Sequence, residues 1–315
     1  MGFAFVFPGQ GSQSVGMLGE LAATSPAIAA SFAEASDALG YDLWELVRQG
    51  PEATLNQTAC TQPAMLAAGV ATWRLWQERG GAPPQVLAGH SLGEFTALVC
   101  AGALEFPAAV CLVRARGELM QAAVPQGSGA MAAILGLEDA EVEAACREAA
   151  EGAVVAAANY NAPGQVVIAG ESAAVERAIA AARARGAKRA VLLPVSVPAH
   201  SSLMVKAAAA LRERLAGVSL RTPAIRFVSA VDATEHADPA DLRALLVRQL
   251  SSPVRWTETL RALATRDVTQ VIECGPGKVL TGLNRRIERR EGLSFLALEE
   301  PASVEAALAA TRGGQ

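Results

Sequence analysis

The chain has 315 residues, of which 51% are hydrophobic and 4% aromatic, and its formal net charge is −4. This is enough apolar material for one large folded unit, or for a core with a smaller insertion, and it excludes a chain that depends on staples for stability. Charges of like sign form no block, which argues against disorder and against non-specific nucleic-acid binding.

Five cysteines, Cys60, Cys100, Cys111, Cys146 and Cys274, stand far apart with no C-x-x-C pair. Reduced thiols are expected, with neither a disulfide framework nor a zinc site. The opening MGFAFVFPGQG shows no basic leader and no small-residue cleavage site, and no apolar run reaches the ~18 residues of a membrane span. The expected location is cytoplasmic.

In chain order, FAFVF (3–7) closed by Pro8-Gly9 predicts a buried strand and a turn, and helical periodicity follows through 24–80. QVLAG (85–89) predicts a second strand, and 92–101 a helix that starts at Ser91. Between Gly129 and Val195 the pattern becomes strand, helix, strand, strand, helix, strand, the βαββαβ order of a ferredoxin-like unit. Residues 128–195 are therefore expected as an inserted small domain, and residues 1–127 and 196–315 as a discontinuous large α/β domain with a parallel sheet. The large unit continues with strand AIRFVSA, helical stretches at 240–265, strand TQVIECG and the turn Gly275-Pro276-Gly277.

Ser91 lies in Gly89-His90-Ser91-Leu92-Gly93, between a strand and a helix. Glycines at −2 and +2 suit a strained turn that projects a nucleophilic hydroxyl, because a side chain at either place would crowd the backbone. The next amide, Leu92 N–H, then sits at a helix N-terminus and is an oxyanion donor candidate. The chain has only three histidines. His90 adjoins the serine and leaves the turn in another direction; His236 lies in the polar stretch TEHAD and is expected in solvent. His200, at the end of VLLPVSVPAH, is left as the base. No carboxylate between Ser91 and His200 falls at the end of a core strand, so a neutral backbone or amide oxygen is the alternative orienter of the ring.

In FPAAVCLVRARGELMQ, Arg116 shares a stripe with Leu112, Leu119 and Met120. A guanidinium on such a face needs an internal carboxylate, a ligand carboxylate or a route to solvent. The glycine-rich FPGQGSQSVGM lacks both the third fingerprint glycine and the G-K-[ST] ending of phosphate-binding loops. It reads either as a tight turn alone or as one that brings Gln10 N–H to the site as a second oxyanion donor.

Together FPGQGSQSVGM, TQPA, GHSLGEF, Arg116, NAPGQVVIAG, VPAH, LVRQL and GPGKVL resemble the malonyl-CoA:acyl carrier protein transacylase family over essentially the whole chain. The likeness is greatest to its stand-alone bacterial members of fatty-acid synthesis. The resemblance implies an α/β-hydrolase-like core with the ferredoxin-like insertion. It implies Ser91 as nucleophile, His200 as base, the Gln10 and Leu92 amides as oxyanion hole, Arg116 as clamp for the malonyl carboxylate, and the Gln249 carbonyl as orienter of His200. Asn161 matches a position near the pocket. Malonyl-CoA is the implied substrate and a phosphopantetheinylated acyl carrier protein the partner, with no metal or bound cofactor and no nucleic-acid or membrane partner. Ala199 stands where relatives carry serine or phenylalanine, beside the acyl pocket; Cys274 replaces a frequent valine and Ser229 a frequent asparagine, both expected off the chemistry. A carrier with an acidic surface calls for a basic patch, for which Lys188-Arg189, Arg285-Arg286 and Arg289-Arg290 are the candidates. The alternatives are a trans-acting polyketide acyltransferase, a serine esterase and an idle docking module.

Overall fold

The computed structural model describes residues 2–312 except Ser196 and Arg266. Among the described residues nine strands form two sheets: β1 (Gly2–Phe7), β2 (Val86–Gly89), β3 (Gly129–Leu135), β4 (Val155–Ala162), β5 (Gln165–Glu171), β6 (Arg189–Leu192), β7 (Arg226–Val228), β8 (Val268–Glu273) and β9 (Ser294–Ala297). The first sheet has the order β7-β2-β1-β8-β9, and every pair in it is parallel. The second, β4-β5-β3-β6, is antiparallel throughout.

Alternation along β1 builds the core of the first sheet. Phe3, Phe5 and Phe7 face one layer with Trp76 and the helix Thr58–Glu78, whereas Ala4 and Val6 face the other with Trp256 and Leu260. The Phe5 and Trp76 rings meet edge to face at 5.2 Å, and full burial of each such Phe contributes about 1.5–3 kcal/mol. In the second sheet Ile134, Val166 and Ile168 pack beneath helices Asp139–Ala150 and Ser172–Ala184. Its other face presents Met131, Val167 and Ala169 toward Leu193, Val195 and Ala199.

Several boundaries differ from expectation. β4 extends to Ala162, which places Asn161 on a strand, and β6 stops at Leu192, two residues before Pro194, which has no N–H to give a ladder. Ser196, where the large unit was expected to resume, lies outside the described residues. The helical stretch at 240–265 is split into Pro239–Arg248 and Trp256–Ala264. Pro253 enforces the break, and the intervening Val254 pairs with β4 through Val254 N–H to Ala158 O at 2.8 Å and Tyr160 N–H to Val254 O at 2.9 Å. β9 and the helix Pro301–Arg312 lie beyond the last expected element. Among the described residues, no helix is long and apolar enough to cross a membrane, and no cluster of His, Cys, Asp or Glu is placed to hold a metal ion.

Candidate active site

β1 and β2 end together, Phe7 opposite Gly89, so the turns that follow them meet at the carboxyl edge of the sheet, where open parallel sheets bind ligands. After β2 the chain turns within three residues into the helix Gly93–Cys100. Ser91 takes φ +50° to make that turn, a left-handed conformation costly for a residue with a Cβ. The flanking glycines are required by contact: a Cβ at Gly89 would fall 2.0 Å from the Gly93 carbonyl carbon, and one at Gly93 2.0 Å from Phe7 O. Leu92 N–H is then at the helix start with no intrahelical acceptor. Gly9 presses on the same turn, its α-carbon so near His90 that a Cβ would lie 2.5 Å from His90 O. That approach puts Gln10 and Leu92 on one cavity wall, in a cavity of about 540 Å³ that Ser91, Arg116, Asn161 and His200 also line.

His200 Nε2 lies 2.8 Å from Ser91 Oγ. On the other side of the ring, Nδ1 is 2.8 Å from Gln249 O and 3.1 Å from Ser252 O. Carbonyls only accept, so Nδ1 carries the proton and Nε2 is free to accept the serine's. Both carbonyls belong to the break between the two helices. His200 is buried, and burial first, then the Arg116 cation, pushes its pKa down from 6.5 to about 3.

Arg116, on the helix Phe106–Ala122, is 1% exposed. Nη2 donates to Gln249 Oε1 at 2.9 Å and to Ser91 Oγ at 3.3 Å, and its guanidinium carbon stands 5.6 Å from the centroid of the Phe95 ring. Its partners are thus an amide, a hydroxyl and a ring face, and the buried Nε has no partner among the described residues. Burial lowers its pKa to about 10, opposed by the negative charge of Glu94, so it stays a cation at neutral pH.

Asn161 Oδ1 accepts from His90 Nε2 at 2.8 Å, and the His90 ring packs 5.5 Å from Trp256. His90 is thereby held beside the elbow, and burial lowers its pKa. His236, expected in solvent, instead sits 3.1 Å from Asp232, to which Arg248 also binds. Ser229, expected off the chemistry, donates at 2.8 Å to Glu94 Oε1. Glu94 is the residue sequence reasoning missed: 1% exposed, it also accepts from Ala230 N–H at 2.6 Å and from Gln249 Nε2. On a helix pattern alone it is one more glutamate. All six basic candidates, Lys188, Arg189, Arg285, Arg286, Arg289 and Arg290, are exposed; Arg285 donates to Phe295 O at 3.2 Å, Arg286 to Gln165 Oε1, and Arg290 to Ala264 O and Val268 O, each at 2.7 Å.

Residues 4–294 match the acyl transferase domain family. The chain is 56% identical over 306 residues to the malonyl CoA-acyl carrier protein transacylase of Salmonella typhimurium, covering 97% of this chain and 98% of that protein. Among solved structures it superposes at TM-score 0.96 and 53% identity on a malonyl-transacylase in complex with its type II PKS acyl-carrier protein, covering 98% of this chain and 100% of that one. A second, an acyl carrier protein S-malonyltransferase from Vibrio cholerae, gives TM-score 0.94 at 53% identity, with the same coverage.

Proposed function

The chain belongs to the acyl transferase domain family, and from that premise we propose how its site works. The protein is an acyltransferase that moves malonyl from malonyl-CoA to an acyl carrier protein, and so supplies malonyl units for fatty-acid synthesis. The observation that carries the mechanism is the line His200 Nε2, Ser91 Oγ, Arg116 Nη2, with the hydroxyl 2.8 Å from the imidazole and 3.3 Å from the guanidinium. A base and a cation flank one nucleophile.

In the first stage Ser91 Oγ attacks the thioester carbonyl as His200 Nε2 takes its proton. The oxyanion forms toward the Leu92 and Gln10 N–H groups. Collapse breaks the C–S bond, and the departing coenzyme A thiolate takes the proton from His200. In the second stage His200 takes the proton of the carrier's phosphopantetheine thiol, the sulfur attacks the seryl ester, and Ser91 recovers its proton as it leaves. Two carbonyls, in place of an acid, steady the imidazolium. In a malonyl ester one methylene separates the reacting carbonyl from the free carboxylate, which suits a cation held beside Oγ. That carboxylate also neutralises the Arg116 charge that depresses His200, so the base strengthens when the right acyl group is bound. Asn161 acts by fixing His90 beneath the elbow.

The order β4-β5-β3-β6 is 2-3-1-4 within its own four strands, which supports the ferredoxin-like reading of an insertion at 128–195 in an α/β-hydrolase-like core. Pro125 and Pro194, on either side of the segment, and the change of sheet support the same division. The absence of a metal or bound cofactor and a cytoplasmic place belong to the same proposal. Product analysis tests the transfer: with malonyl-CoA alone the enzyme is expected to stop after acylation, and with holo carrier protein to give malonyl-carrier. Steady release of malonate without carrier would instead make it an esterase.

A further inference from the structure

Gln249 holds three parts of the site at once. Its backbone carbonyl accepts from His200, its Oε1 accepts from Arg116 at 2.9 Å, and its Nε2 donates to Ser91 O at 2.9 Å. An amide can be turned end for end at little steric cost; Arg116, which only donates, and Ser91 O, which only accepts, both favour this orientation, and a third group secures it. The remaining partner of Nε2 is Glu94 Oε2, whose other oxygen is fixed by Ser229 Oγ–H and Ala230 N–H. Every hydrogen-bond partner of that carboxylate is a donor. It therefore demands the N–H end of the amide, which leaves the carbonyl end for the guanidinium.

We infer that Glu94, outside the cavity, is a positioning residue that sets the malonyl clamp by fixing the orientation of the Gln249 amide. This rests on the reading of Arg116 as the clamp. Burial raises the Glu94 pKa to about 7, and the three donors oppose that rise. Glu94→Gln shows the logic: the new side chain has one oxygen for three donors. If that oxygen stays with Ser229 and Ala230, its NH2 faces the Gln249 NH2. The Gln249 amide then either turns over, which presents N–H to Arg116 and its oxygen to the Ser91 carbonyl, or shifts away from both; in each case Arg116 loses its fixed acceptor. The backbone carbonyl that orients His200 is not part of that rotation, so general acyl transfer is affected less than recognition of the carboxylate.

The experiment compares acyl-enzyme formation from malonyl-CoA and acetyl-CoA in wild type, Glu94→Gln, Gln249→Met, the double variant and Arg116→Ala. Glu94→Gln is expected to lower the malonyl-to-acetyl ratio of kcat/KM about 10- to 100-fold, with the acetyl rate within a few-fold of wild type. Gln249→Met, which keeps the backbone carbonyl and deletes the amide, is expected to lower the same malonyl-to-acetyl ratio, and the double variant to lower it no further than either. Losses in equal proportion for both substrates in Glu94→Gln, an unchanged ratio, or full additivity in the double variant would overturn the inference. Where Glu94→Gln does not fold, an unchanged ratio in Gln249→Met overturns it. A shifted ratio in Arg116→Ala with none in Glu94→Gln defeats this inference alone; no shift in Arg116→Ala defeats the clamp and the inference with it.

Discussion

Arg116→Ala removes a guanidinium that is buried, cationic at neutral pH and 3.3 Å from the nucleophile. A planar guanidinium meets a carboxylate through charge-assisted hydrogen bonds of about 1.5–3 kcal/mol each. Deleting one partner of a buried pair costs about 3–5 kcal/mol, because the other charge is left unpaired. At 1.4 kcal/mol per tenfold, the malonyl kcat/KM is expected to fall about 100- to 4000-fold. Acetyl-CoA carries a methyl group where malonyl-CoA carries a carboxymethyl group, with no carboxylate to pair, so that loss does not apply to it. The variant also strips Gln249 Oε1 and Ser91 Oγ of a donor, but this affects both substrates and cancels in their ratio. Rapid-quench measurement of acyl-enzyme formation with each thioester gives that ratio directly. Equal losses for malonyl and acetyl, or a ratio that moves less than about tenfold, would refute the carboxylate clamp.

Other outcomes follow from the same geometry. The folded pKa of His200 is lowered from 6.5 to about 3, so the base remains neutral as pH falls; acetyl transfer is expected to stay flat between about pH 8 and about pH 5, and a midpoint near the ordinary histidine value would contradict the assignment. Gly93→Ala drives a Cβ to 2.0 Å from Phe7 O, and urea unfolding is expected to show a loss of about 1–3 kcal/mol or no folded protein; wild-type stability would contradict that packing. Charge reversal at Arg189 or Arg286, both exposed, is expected to raise the KM for the carrier while leaving malonyl-enzyme formation intact, with the carrier step weakening as salt rises. A carrier KM unmoved by either reversal would remove those residues from the docking face.

What could be read from sequence was what is local or scarce. The elbow announces itself because its two glycines and its serine are adjacent and serve one turn. His200 stood out because only three histidines exist, and Arg116 because a charge on an apolar stripe breaks helical periodicity. The parallel sheet and the βαββαβ order followed from short apolar runs at regular intervals. Features made by the backbone or by distant partners were silent. The carbonyls of Gln249 and Ser252 that hold His200 depend on a helix break 49 residues away in sequence, not on any side-chain pattern; only the family resemblance named Gln249, and nothing named Ser252. Glu94 sits on the elbow helix, where a glutamate near a helix start is ordinary, and its burial against Ser229 and Gln249 arises from tertiary contact. β9 lies at the edge of the sheet with only Phe295 of its four residues buried, so it offers no continuous buried run.

The central claim is that malonyl rests on Ser91 as an ester awaiting a thiol. Intact-mass and peptide-level mass spectrometry after brief exposure to malonyl-CoA, followed by a chase with holo carrier protein, tests it most directly. A single malonyl group on the peptide containing Ser91, absent in Ser91→Ala and transferred quantitatively to the carrier in the chase, is the predicted result. An equal adduct on Ser91→Ala, or a Ser91 adduct that water removes as fast as the carrier does, would contradict it.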